Sequence, residues 1–181
     1  MVVDSSRGHV RSLPQSVVLT VAGAVAITLA TQVRIDLPFT PVPITGQTFV
    51  VILWGLLFGS RQGALAAGTY LAAGALGAPV FAGFTSLVAL WGPTAGYLLG
   101  FVPAAALAGW LQERGWTRNV GTTMLASLIA SIPIFILGTP VLAAFVGWKS
   151  VLVMGVVPFL VGDVIKSALA AITVRTLSRK R

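Results

Sequence analysis

This chain has only four acidic residues, and one of them, Asp163, stands three positions before Lys166 in the apolar stretch Pro158-Phe-Leu-Val-Gly-Asp-Val-Ile-Lys-Ser167. Residues i and i+3 share a helix face, so a carboxylate and an ammonium are offered side by side. The carboxylate can accept from ligand N–H groups, and the ammonium can donate to a carbonyl or hold an anion. Ionisable groups inside a membrane segment are costly and by default mark function. The plainer alternative is a mutual salt bridge that locks helix packing, although desolvation makes such buried pairs poor stabilisers. Thr45, Gln47, Tyr70 and Tyr97 are weaker candidates for polar contact, each also readable as a packing residue. Phe39, Phe81, Trp54 and Trp91 could form apolar wall or belong to an interfacial aromatic belt.

The remaining inventory excludes much chemistry. There is no cysteine and one histidine, His9. A thiolate metal site, a disulfide framework and a His-based hydrolase are therefore not expected, nor is any catalytic residue or cofactor. No Gly-x-x-x-x-Gly-Lys-Ser/Thr stretch occurs, so ATP-driven accumulation of a solute would need ATPase subunits from elsewhere.

The elements that must position the pair follow from composition. The 181 residues are 56% hydrophobic and 9% charged, with mean hydropathy +0.95. Soluble domains are about 25% charged. An all-α, multi-pass integral membrane protein of one domain is expected. The net charge of +8 does not point to nucleic acid, because the basic residues sit at the ends of apolar segments and form no stripe interleaved with aromatics.

Apolar runs predict six transmembrane helices near 17–33, 46–59, 63–78, 93–111, 120–137 and 158–177. The single domain spans 1–181, with an N-terminal arm at 1–15, the bundle at 16–178 and a basic tail at 179–181. Pro38, Pro41 and Pro43 forbid a regular helix between the first two runs, and Thr45 is expected to cap the second. That second run covers only ~21 Å, less than the ~30 Å of a hydrocarbon core. Pro133, Gly138 and Pro140 are expected to end the fifth helix near 137, leaving 138–157 an irregular or half-helical apolar segment.

With both termini in the cytoplasm, nine basic residues lie inside (Arg7, Arg11, Arg61, Arg114, Arg118, Arg175, Arg179, Lys180 and Arg181) and two, Arg34 and Lys149, outside. This satisfies the positive-inside rule. The long connections 34–45, 79–92 and 138–157 then share the outer side. Asp163 falls ~8 Å and Lys166 ~12 Å below the outer end of the last helix. A pocket opening outward is expected there. Ala22, Ala26 and Ala30 recur every four residues, a smooth face suited to close packing within the bundle or to docking of a partner helix.

Four stretches carry a resemblance. They are Pro41-Val-Pro-Ile-Thr-Gly-Gln47-Thr-Phe, Gly74-Ala-Leu-Gly-Ala-Pro-Val-Phe-Ala-Gly83, Gly92-Pro-Thr-Ala-Gly-Tyr-Leu-Leu-Gly-Phe101 and Pro158-Phe-Leu-Val-Gly-Asp-Val-Ile-Lys166. In this order they resemble the BioY family, the biotin-capturing S components of energy-coupling factor (ECF) transporters. The resemblance covers most of 17–175; the family's Gly-Pro-Thr-Gly-Gly-Tyr form reads with Ala95 in place of a glycine. It implies the six-helix ECF S-component fold and high-affinity biotin binding from outside. It also implies assembly with a transmembrane coupling protein of the EcfT type and two ATPase subunits. Asp163 and Lys166 would be polar biotin contacts with Gly96 and Tyr97 nearby, Pro41–Gln47 would form lid and pocket, and the Ala22/Ala26/Ala30 face would dock the coupling protein. The readings from other classes are a stand-alone small-solute channel or proton-coupled carrier gated by the pair, and a structural membrane scaffold.

Overall fold

The computed structural model describes residues 2–3 and 10–179. Residues 1 and 4–9 of the expected N-terminal arm, and Lys180 and Arg181 of the basic tail, lie outside the described residues. Short strands β1 (Val2–Val3) and β2 (Val10–Arg11) pair antiparallel ahead of the helices. The bundle consists of α1 (Leu13–Gln32), α2 (Gln47–Phe58), α3 (Ser60–Ala75), α4 (Ala95–Glu113), α5 (Val120–Val146) and α7 (Val157–Arg179), with the short α6 (Val151–Gly155) before the last.

Local chemistry sets several boundaries. The Ser12 N–H donates to Gln15 Oε1 at 3.2 Å, and Pro14 occupies the first turn of α1, where its missing N–H costs nothing. Gly59 alone separates α2 from α3, with φ 92°, in the left-handed region that glycine adopts without penalty. At the same end of the bundle, the Glu113 carboxylate accepts from the N–H and the hydroxyl of Ser60, both at 2.9 Å. An anion at the start of α3 complements its dipole and ties it to the end of α4.

Two expectations are corrected. The fifth helix does not stop near 137 but runs unbroken through Pro133 and Pro140 to Val146. Each proline frees the carbonyl four residues back. The hydroxyls of Ser131 and Thr139 bond the adjacent carbonyls of Leu128 and Phe135, both at 2.8 Å, and neighbouring helices and hydroxyls make such prolines tolerable in membranes. Thr45 does not cap α2; the cap is Gly46, with no side-chain hydrogen bond. Thr45 is held one residue earlier in a hairpin, where β3 (Arg34–Ile35) pairs antiparallel with β4 (Ile44–Thr45) and Arg34 faces Thr45 in register.

Helix α4 is the hub, packing on α2, α3 and α5. Small residues allow the approach: a Cβ on Gly96 would meet the Leu137 carbonyl oxygen, and one on Gly100 would meet the backbone of Ile134 and Pro133. Tyr70, Phe81, Phe101 and Ile27 are fully buried in the core around it. Large apolar side chains of α1, α5 and α7, among them Val21, Leu29, Ile136, Val161 and Ile172, point outward. That pattern suits lipid and explains helices that are apolar on every face. Four of the helical segments are long and apolar enough to cross a membrane. The 12 residues of α2 reach ~18 Å, and the β3–β4 hairpin leads directly into its first turn.

Candidate functional site

The hairpin, the 76–94 connection with its turns Ala82–Phe84 and Leu87–Trp91, and the start of α4 enclose a cavity of about 290 Å³. This is near the lower end of the ~300–1,000 Å³ usual for small-molecule sites. Its rim carries Arg34 and Asp36, an exposed ion pair at 3.4 Å. Its floor carries Gln47, Tyr97 and the buried Phe81. Gln32, at the end of α1, clasps the connection: its Nε2 donates to the Phe81 carbonyl at 3.2 Å, and its Oε1 accepts from the Phe84 N–H at 3.4 Å.

A second, deeper cavity of about 40 Å³ shares Val42, Pro43, Gln47 and Tyr97 with the first, so one wall of four residues joins the two. Its sides are Phe101, Ile134, Phe135 and Phe159, and its polar groups are Thr45, Gln47, Thr48, Asp163 and Lys166. Asp163 is 9% exposed, yet among the described residues it has no hydrogen-bond or ion-pair partner. Lys166 does not close on it. Its Nζ donates instead to Thr48 Oγ at 2.8 Å, across 118 positions of sequence. The carboxylate thus faces the cavity with its acceptors open to a solute or to water. Beneath the pair, a void of about 10 Å³ is lined by Thr48, Ser127, Ser131 and Ser167, which continue the polar seam between α2, α5 and α7.

A sequence model of the BioY family matches residues 5–181. The chain belongs to the BioY family. It is 41% identical over 145 residues to the protein named "Probable biotin transporter BioY" of Pyrococcus horikoshii, covering 80% of this chain and 85% of that protein. With the biotin transporter BioY of Thermotoga maritima it shares 38% identity over 148 residues, 80% and 86% of the two chains. A crystal structure of the S-component for biotin from an ECF-type ABC transporter superposes with TM-score 0.78 at 25% identity, over 95% of this chain and 96% of that one. The six-helix fold is thus the S-component fold, and the chain is a multi-pass membrane protein.

The residues singled out in this BioY-family sequence take different places. Asp163, Lys166, Thr45, Gln47 and Tyr97 converge on the deep cavity. The Tyr97 hydroxyl donates to the Gly155 carbonyl at 2.9 Å, so the ring, tilted against Phe159 with centroids 6.3 Å apart, is what meets the chamber. Tyr70 lines neither cavity; it is fully buried behind Gln47, its OH 2.8 Å from Gln47 Oε1. Gly96 lines neither, and packs against Leu137 to seat Tyr97. Phe39 and Trp91 are exposed, at 52% and 80%, and outside both linings. Trp54 stacks at a tilt on Phe58 and presses on Gly23, away from the site. On α1, Ala22 is exposed and Ala26 half-buried, whereas Ala30 packs against the backbone at Gly46.

Sequence reasoning missed Thr48, Phe101, Phe135, Phe159, the serines of the polar seam and Arg34 as a rim residue. Thr48 had a weak signal, a second polar residue directly after Gln47 in an apolar run. The aromatics had none, since phenylalanine in a membrane helix reads as lipid-facing until its neighbours are known.

Proposed function

We propose that this chain is the biotin-binding subunit of an ECF-type uptake transporter, a solute-capture protein and not an enzyme. The observation that carries the reading is Asp163, a residue 9% exposed whose carboxylate opens on the cavity with no hydrogen-bond or ion-pair partner in contact, near a lysine whose Nζ donates to Thr48. Biotin's cyclic urea has two N–H donors and one carbonyl. The donors suit Asp163, and the carbonyl suits Lys166. The fused rings and valeryl chain suit walls of Phe101, Phe135, Phe159 and Tyr97, and Arg34 on the rim offers a cation to the terminal carboxylate. The relatives' names and the likeness to a biotin S-component support the same ligand.

The finer assignments belong to this reading. The protein sits in the prokaryotic plasma membrane with both termini cytoplasmic, supported by the nine-to-two split of basic residues. It passes biotin to a coupling protein of the EcfT type driven by two ATPases, with Ala22 and Ala26 as the contact. Calorimetric titration of the purified protein with biotin tests the proposal. Saturable binding at sub-micromolar ligand is expected, and its absence in folded protein would refute it.

A further inference from the structure

Gln47 lines both cavities, and its amide terminates a cluster of oxygens at the ends of α1, α2 and α3. Thr31 Oγ lies 2.6 Å from the Ile27 carbonyl oxygen, 2.9 Å from Gln47 Oε1 and 3.1 Å from Tyr70 OH. Tyr70 OH lies 2.8 Å from Gln47 Oε1. These are four short oxygen–oxygen contacts, and each needs a proton between its partners. Two hydroxyls supply two. With Thr31 and Tyr70 fully buried, no water replaces the missing ones, and two pairs of lone pairs would face each other unscreened.

Exchanging the two ends of the amide removes the conflict. The NH2 group brings two protons, so four contacts share four. Thr31 donates to Ile27, Tyr70 donates to Thr31, and the amide nitrogen donates to both hydroxyl oxygens. Each hydroxyl then gives one hydrogen bond and accepts within its capacity. The ends of an amide are nearly equal in size, so packing is unchanged.

We propose that Thr31 and Tyr70 lock the Gln47 amide with its nitrogen toward them and its carbonyl oxygen toward the cavity, making Gln47 a fixed acceptor for a ligand N–H. This ligand role rests on the biotin reading above. The chamber then holds two kinds of acceptor, the Asp163 carboxylate and the Gln47 carbonyl, against the single ammonium of Lys166. That balance matches a cyclic urea, two donors and one acceptor, and disfavours a ring that has lost an N–H. Thr31 and Tyr70 are positioning residues, acting through Gln47.

The orientation is tested first without ligand. In detergent-solubilised protein labelled with nitrogen-15, the Gln47 side-chain N–H protons should exchange with solvent at least tenfold more slowly than those of the exposed Gln15. Tyr70→Phe should shorten that protection. Exchange as fast as Gln15, or protection untouched by both Tyr70→Phe and Thr31→Val, overturns the orientation. The ligand role is tested by titrating biotin and its two ureido N-methyl derivatives into native and Gln47→Leu protein. For one derivative, the methyl group should weaken native binding at least fivefold more than it weakens Gln47→Leu binding. Equal ratios in the two proteins for both derivatives overturn the role. Native protein that binds no biotin refutes the proposed function, while the exchange measurement still decides the orientation.

Discussion

Asp163 lines an apolar-walled cavity with Lys166 nearby but not in ion-pair contact. A buried ion without its partner in contact costs several kcal/mol, and a ligand that supplies N–H donors recovers part of that cost on binding. Asp163→Asn and Lys166→Met should therefore each lower biotin affinity at least tenfold, equivalent to about 1.4 kcal/mol. Thr48→Val, which removes the hydroxyl that Lys166 Nζ bonds, should lower it about tenfold as well, since a hydrogen bond to a charged group is worth roughly 1.5 kcal/mol. Calorimetry on folded variants checks all three. Unchanged affinity in Asp163→Asn and Lys166→Met would return the pair to a packing role. The pair was legible from its spacing alone. Its partner Thr48 was not, because 118 residues separate the two atoms that meet.

The site at the level of elements depends on how closely α4 can approach α5. Gly96 and Gly100 present one bare face, and α5 lays its backbone at Leu137 and Pro133–Ile134 against it. Gly100→Val would drive a branched side chain into that backbone, which cannot yield as a flexible side chain does. A loss of about 1–3 kcal/mol is expected, read as a lower unfolding temperature in detergent together with weaker biotin binding, because Tyr97 and Phe135 shift together. Gly68→Ala is the contrast. A Cβ there meets nothing within 4 Å, and alanine gains helix propensity worth up to about 1 kcal/mol, so stability should hold or rise. A fall comparable to that of Gly100→Val would show that glycine count rather than contact matters. The same packing explains the uninterrupted α5. Proline signals in the sequence describe lost donors, whereas the hydroxyls and neighbouring helices that compensate are visible only in three dimensions.

For the whole molecule, the hairpin of 34–45, the 76–94 connection and the shorter 147–156 connection gather at one end and the turns at Gly59 and 114–119 at the other. The chain lacks cysteine, so single introduced thiols report topology cleanly. Val88→Cys, in the exposed connection, should react with an impermeant maleimide in intact cells, and Thr117→Cys only after the membrane is opened. The reverse pattern would invert the orientation. On α1, Ala22 and Ala26 leave a shallow face beside the projecting Val18, Val25 and Leu29. Replacing both alanines by leucine should impair biotin uptake by cells carrying the full transporter while leaving binding by the isolated protein unchanged. Reduced binding with intact partner assembly would instead make that face part of the bundle's own packing.

Sequence alone determined the solvent and the path of this protein. Scarce charge and long apolar runs compel a helical membrane bundle, and a three-residue spacing puts Asp163 and Lys166 on one helix face. Those properties are local or compositional. Tertiary structure decided which residues share the chamber. It turned Lys166 to Thr48 and away from Asp163, set Tyr70 behind Gln47, left Phe39 and Trp91 outside the cavities, and drew Phe101, Phe135 and Phe159 in as walls. The reason is physical. In a chain where nearly every side chain suits lipid, hydropathy cannot separate the faces of a helix, and only the approach of neighbouring backbones at small residues says which face turns inward.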